Sequence, residues 1–112
     1  MSRRLMLPLA LAILMQAGAA HADAIDGDWC SVDGRRMSIR GDNIIIPSGK
    51  QIVGNYSRHA FDYVIPSGDT GAGDSVNIIL RSEYLAFSRQ GRNGGANGDK
   101  PTEWRRCKDL NS

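Results

Sequence analysis

The sequence predicts an all-β fold: a small antiparallel up-and-down meander of about eight short strands that closes into a barrel. Three observations predict it. After residue 22, turn-forming residues recur about every 8–12 positions, and apolar residues alternate with polar ones between them. No helical period is sustained there. The only two cysteines, Cys30 and Cys107, lie near the two ends of the predicted domain, so a bond between them joins the first strand to the last.

The first 22 residues have the pattern of a signal peptide. Arg3 and Arg4 precede an apolar run over Leu5–Met15, and residues 20–22 read Ala-His-Ala, as at a cleavage site. The run is too short to span a membrane. Cleavage leaves residues 23–112 as a single domain with 12 basic and 12 acidic residues. We therefore expect a periplasmic or secreted protein with no transmembrane segment after cleavage. We expect no nucleic-acid partner, because such binding rests on neutralising phosphates.

Four strands are predicted in the first half of the domain. Trp29–Val32 ends at an Asp-Gly pair, which is typical of a hairpin turn. Arg35–Arg40 alternates between apolar and polar residues up to a Gly-Asp-Asn turn. Ile44–Ile46 is a short apolar run closed by Pro-Ser-Gly, and Gln51–Tyr56 places Ile and Tyr on one face.

Four more strands follow. Ala60–Ile65 alternates again, and after a glycine-rich loop Ser75–Arg81 carries Val, Ile and Leu on one face. Tyr84–Arg89 pairs a Leu with a Phe. The segment Gln90–Thr102 has four glycines and few apolar side chains, so we expect a loop that packs little. Glu103–Cys107 is the last strand.

The alternation of side chains along the first and last strands assigns each residue to one of the two faces of the sheet. Trp29 and Cys30 face opposite sides, and so do Trp104 and Cys107. A disulfide on one face therefore leaves both tryptophans on the other face, where Arg106 is placed to stack on one of them. In an exported chain we expect that disulfide to form.

We expect the interior to be filled by side chains, with no cavity above ~300 Å³, the lower end for ligand pockets. The predicted inward set is apolar or aromatic throughout: Trp29, Met37, Ile39, Ile44, Ile46, Ile52, Tyr56, Phe61, Tyr63, Ile65, Val76, Ile78, Leu80, Leu85, Phe87 and Trp104.

Three residues carry a resemblance to a known family. Gly27 and Trp29 on the first strand, with Arg106 on the last, resemble the G-x-W and late-arginine pattern of calycin-type barrels, the lipocalins and their relatives. The resemblance implies a barrel whose arginine packs over the tryptophan at its closed end. The layout from Gly-x-Trp-Cys to Trp-Arg-Arg-Cys also resembles small exported bacterial β-domain proteins of unassigned function.

The candidate binding residues are Tyr56, Arg58, His59 and Phe61. They combine aromatic, guanidinium and imidazole groups on a short turn, so a partner that binds there would order little chain. We expect a monomer that serves as a non-catalytic binding module for a protein or an envelope component. We expect no cofactor and no metal site.

Two alternatives stay open. One is a periplasmic enzyme inhibitor, which fits the size and the disulfide. The other is a hydrolase that uses Asp69 or His59 as its acid or base. Residues 69–72 read Asp-Thr-Gly-Ala, the string found in retroviral-type aspartic proteases, but the apolar strand expected before the aspartate is missing.

Overall fold

The computed structural model describes residues 24–92 and 100–107. Within them, antiparallel strands form one sheet. The strands are β1 Gly27–Cys30, β2 Arg36–Arg40, β3 Asn43–Ile45, β4 Gln51–Val53, β5 Asn55–Ser57, β6 Ala60–Val64, β7 Ser75–Ser82, β8 Leu85–Gly91 and β9 Thr102–Arg106. The all-β class is confirmed. The predicted signal peptide and residues 93–99 of the predicted glycine-rich loop lie outside the described residues.

The sheet curls into a nearly closed barrel. Its strand order is β4-β3-β2-β1-β9-β8-β7-β6-β5, so the first and last strands are hydrogen-bonded neighbours, as predicted. The two edge strands, β4 and β5, are separated only by Gly54 and run in the same direction. They are two halves of one bent strand: β4 pairs with β3, and β5 pairs with β6. The sequence predicted this strand without its bend.

The bend lies at Gly54, where strand β6 approaches the chain too closely for a side chain. A Cβ atom at this position would collide with the backbone oxygen of Asp62 and lie 2.5 Å from the ring of Phe61. The residue therefore has to be glycine for the chain to cross from one hydrogen-bonded neighbour to the next.

The core contains most of the predicted inward set. Both tryptophans are buried, together with Met37, Ile39, Ile44, Ile46, Phe61, Tyr63, Ile65, Val76 and Ile78, while Ile52 and Leu80 are partly buried against them. Ile25, which precedes the first strand, is also fully buried and was not predicted.

Strand β8 points inward with the opposite face from the one predicted. Ala86 and Ser88 are buried, whereas Leu85 and Phe87 are only half-buried on the outer face, where the Arg81 guanidinium lies 5.9 Å from the Phe87 ring. Ala86 stands directly opposite Trp104 across the β8–β9 ladder, and both are buried. Size alone therefore predicted the wrong face of this strand.

Tyr56 is a second correction to the core. It pairs with Phe61 but lies at the end of its strand, and 38% of its surface is exposed.

The predicted disulfide is confirmed. Cys30 and Cys107 are bonded, with Cα atoms 4.8 Å apart across 77 residues of sequence. A disulfide in a domain of this size is compatible with an oxidising compartment. In the described part of the chain, no helix is both long and apolar enough to cross a membrane.

Candidate functional site

The connections divide the barrel into two unlike ends. At one end lie short turns at residues 41–42, 58–59 and 83–84 and the N-terminal segment 24–26; we call it the closed end. At the other lie the longer connections 31–35, 46–50 and 65–74; we call it the open end.

Arg106 holds the closed end together. Its guanidinium lies 4.0 Å from the centre of the Trp29 ring, so the predicted stacking is confirmed. Its nitrogens donate to three backbone oxygens, those of Ala24, Asp26 and Glu83, at 2.6–2.9 Å. The Trp29 indole N–H donates to the backbone oxygen of Ile25, whose own N–H bonds to Arg58, each at 2.8 Å. The N-terminal segment is thereby fixed across this end.

The predicted binding residues lie at the closed end. Tyr56, Arg58 and His59 are exposed, and the Tyr56 hydroxyl donates to the carboxylate of Asp26. That carboxylate raises the pKa of Tyr56 above its ordinary value. Phe61 is fully buried in the core and has no surface for a partner to touch, so its assignment as a binding residue is wrong. It was placed with the others because it is close in sequence, whereas its strand position points it inward.

The open end holds a cavity of about 890 Å³. Its wall combines apolar side chains of the core with polar groups from the surrounding loops. The lining includes Met37, Ile46, Tyr63, Ile65, Val76 and Trp104, together with Arg35, Ser48, Asp69, Asp74, Gln90 and Lys100. The expectation of a filled interior is therefore wrong.

The orientation of β8 explains the space. Its inward residues Ala86, Ser88 and Gln90 face Leu80, Ile78 and Val76 of β7. Small and polar side chains thus stand where the sequence predicted Leu85 and Phe87. Of these inward residues, Ser88 and Gln90 line the cavity, whereas Leu85 and Phe87 lie on the outer face.

Charged groups at the cavity mouth are mostly compensated. Asp69 accepts from the Ser48 hydroxyl at 2.6 Å and from the Lys50 ammonium at 2.9 Å, and these bonds, the Ser48 bond first, hold its pKa below the ordinary value. Arg35 bonds to the carboxylate of Asp33 at 3.2 Å, and its guanidinium lies 5.4 Å from the centre of the Trp104 ring.

The two residues of the hydrolase alternative lie apart. His59 is in the turn before β6 at the closed end, and Asp69 is in the loop after β6 at the open end. Within residues 24–92 and 100–107, the His59 imidazole makes no hydrogen bond to a carboxylate or a hydroxyl. Asp69 remains ionised because its pKa is lowered, which does not suit a carboxyl that has to retain a proton. These positions provide no joint acid–base site.

Side chains that could hold a metal do not cluster in the described part of the chain, where no three His, Cys, Asp or Glu residues stand close enough together. Among its basic residues, Arg36 and Arg40 both pair with Asp28 on the outer face. The outer face of these strands therefore carries mixed charge.

Sequence reasoning missed the cavity residues Arg35, Tyr63 and Trp104. The available signal was the alternation in β8 itself, where Ala86, Ser88 and Gln90 form a small and polar series. Placing that series inward would have predicted an open interior.

No protein-family model matches the chain, and no curated protein and no solved structure matches it either.

Proposed function

We propose that the exported domain is a non-catalytic binding module that takes a small amphipathic molecule into the cavity at its open end. The single observation that carries this proposal is the cavity of about 890 Å³ with its mixed lining. Ligand pockets typically measure about 300–1,000 Å³ and combine apolar walls with a few placed polar groups. The proposed setting is the periplasm or the extracellular medium, where the Cys30–Cys107 bond is stable.

The two ends of the barrel also support this proposal, because one is closed and the other is open. Arg106 and the N-terminal segment close one end, and the long connections leave the other accessible. The resemblance of Gly27, Trp29 and Arg106 to the calycin pattern favours the same function, because those barrels place their arginine on the tryptophan at the closed end. An envelope component with an apolar body is an occupant of suitable size for this cavity.

The test is a titration with the neutral apolar fluorophore N-phenyl-naphthylamine. We expect saturable binding of one molecule, with a change in the indole N–H resonance of Trp104, which lines the cavity. The indole resonance of Trp29 should change little, because that ring is enclosed at the closed end. No saturable binding, or equal changes at both indoles, would overturn the proposal.

A matched pair of variants localises the binding. Val76→Trp adds bulk to the inner face of β7, where Val76 lines the cavity, whereas Val64→Trp makes the same exchange on the outer face, where Val64 is 57% exposed. The first should weaken probe binding about tenfold or more, since it removes space for the probe. The second should leave binding unchanged.

A second candidate function is partner binding at the closed end through Tyr56, Arg58 and His59, which are exposed at the end of β5 and in the turn that follows it. The variant Arg58→Ala/His59→Ala separates the two proposals. It should leave probe binding in the cavity unchanged. A purified partner whose affinity falls at least about tenfold in this variant would support the closed end as the site.

A further inference from the structure

The Tyr63 hydroxyl is a buried polar group without a partner. Tyr63 is 8% exposed and lines the cavity, and its hydroxyl makes no hydrogen bond to any residue in 24–92 or 100–107. By contrast, the other buried aromatic donor of the lining is satisfied, because the Trp104 indole N–H donates to the Ser88 hydroxyl at 2.9 Å. A buried hydroxyl without a partner is costly, so its donor is available to an occupant of the cavity.

Burial keeps this hydroxyl protonated. It raises the pKa of Tyr63 to about 12, far above neutral pH. The group is therefore a hydrogen-bond donor under all physiological conditions.

Arg35 provides donors to the same cavity. Arg35 and Tyr63 both line it, and the Arg35 guanidinium lies 5.4 Å from the centre of the Trp104 ring, which belongs to the same lining. The Nε atom of Arg35 is occupied by Asp33, but its two terminal nitrogens donate to none of the described residues. A guanidinium with two free nitrogens matches the two oxygens of a carboxylate.

The formal charges around the cavity balance, so the available hydrogen-bond donors decide the preference. Arg35 is paired with Asp33 and Asp69 with Lys50, while Lys100 and Asp74 add one further cation and one further anion to the lining. Asp69 already accepts from Ser48 and Lys50, and Asp74 accepts from the Gln90 amide at 3.3 Å. The donors without a partner among the described residues are the Tyr63 hydroxyl, the terminal nitrogens of Arg35 and the Lys100 ammonium, and the two oxygens of a carboxylate can accept from several of them at once.

We propose that the cavity ligand is an organic carboxylate with an apolar body, whose carboxylate accepts from the Tyr63 hydroxyl and the terminal nitrogens of Arg35. Its apolar body lies along Met37, Ile65 and Val76. This inference rests on the proposed function and adds the chemical class of the ligand.

The test displaces N-phenyl-naphthylamine from the unmodified protein with three molecules of equal tail length: decanoate, decanol and decylamine. Decanoate should bind about tenfold more tightly than decanol, because hydrogen bonds to a charged group are worth roughly that factor, and decylamine should bind most weakly. The series needs no substitution, so its result is independent of folding.

Two variants assign the residues. Tyr63→Phe removes only the hydroxyl, and Arg35→Met removes only the guanidinium. Each should lower the affinity for decanoate about tenfold while the affinity for the neutral probe stays the same. Arg36→Met is the control, since Arg36 lies next in sequence but pairs with Asp28 on the outer face. It should change neither affinity.

The outcomes separate this inference from the proposed function. Probe binding with equal affinity for all three head groups, or with decanoate unaffected by Tyr63→Phe, overturns the carboxylate preference and leaves the binding module in place. Failure of the probe and of all three molecules to bind overturns the proposed function and this inference with it.

Discussion

Replacing Arg106 by methionine should destabilise the domain more than its position at the end of the last strand suggests. The side chain donates to the backbone oxygen of Glu83 at 2.8 Å, of Asp26 at 2.6 Å and of Ala24 at 2.9 Å, and it stacks on Trp29 at 4.0 Å. Methionine retains the aliphatic packing and loses all four interactions.

The expected cost follows from these contacts. Three hydrogen bonds at a net value of about 0.5–1.5 kcal/mol each, with a stacked cation worth about 0.5–1 kcal/mol, sum to roughly 2–5 kcal/mol. We expect the lower half of that range, because the released carbonyls lie close to solvent. Since small domains unfold with about 5–15 kcal/mol, this is a large share of the free energy of unfolding.

The assay is urea unfolding followed by circular dichroism and tryptophan fluorescence. Arg105→Met is the matched control. Among the described residues the Arg105 side chain bonds to Glu103 alone, at 2.7 Å, in a pair whose side chains are 46% and 42% exposed. Such a pair contributes little, so the control should lie within about 0.5 kcal/mol of the unmodified protein. Equal unfolding midpoints for the two variants would show that Arg106 does not stabilise the closed end, and the reasoning would be wrong.

Three further predictions concern stability. Cys30→Ala/Cys107→Ala should lower the free energy of unfolding by about 4–5 kcal/mol, because the bond spans 77 residues; an unchanged melting temperature would contradict this. Gly54→Ala should lower the free energy of unfolding, measured thermally, by about 1–3 kcal/mol, because its Cβ would collide with the backbone oxygen of Asp62 and the Phe61 ring; an unchanged value would show that the neighbouring strand shifts to make room. The raised pKa of Tyr63 favours its protonated form in the folded state, so the stability it contributes is complete below pH 10 and is lost as the pH rises through about 12. Between these pH values the free energy of unfolding, measured by urea titration, should fall by roughly 2–3 kcal/mol less in Tyr63→Phe than in the unmodified protein. Parallel pH profiles for the two proteins would refute the assignment.

The fold was predictable where the signals were local and mutually consistent. Turn residues between short alternating segments predicted the strands, and parity between Trp29 and Cys30 predicted which face carries the disulfide. The same parity placed Arg106 on the tryptophan side, where it stacks on Trp29. The bend at Gly54 was not predictable, because it depends on the approach of Phe61 from a neighbouring strand.

The sequence did not predict the cavity. The sequence drew attention to the polar turn around Arg58 and His59, whereas the cavity lies at the opposite end of the barrel. Tyr63 and Arg35 are nearly 30 positions apart in sequence, and no local pattern connects them. Partner binding through Tyr56, Arg58 and His59 stays a prediction.

The sequence by itself determined the all-β class, the pairing of the two cysteines and the inward face of most strands, because alternation and turn chemistry act over a few residues. Only the tertiary structure decided whether the barrel is filled. In β8, apolar residues of different size stand on both faces, so periodicity alone permits either orientation. The register of the sheet decides it: Ala86 pairs with Trp104 and Ser88 with Thr102 on the inner face, so Leu85 and Phe87 lie on the outer face. Ser88 and Gln90 then line the cavity.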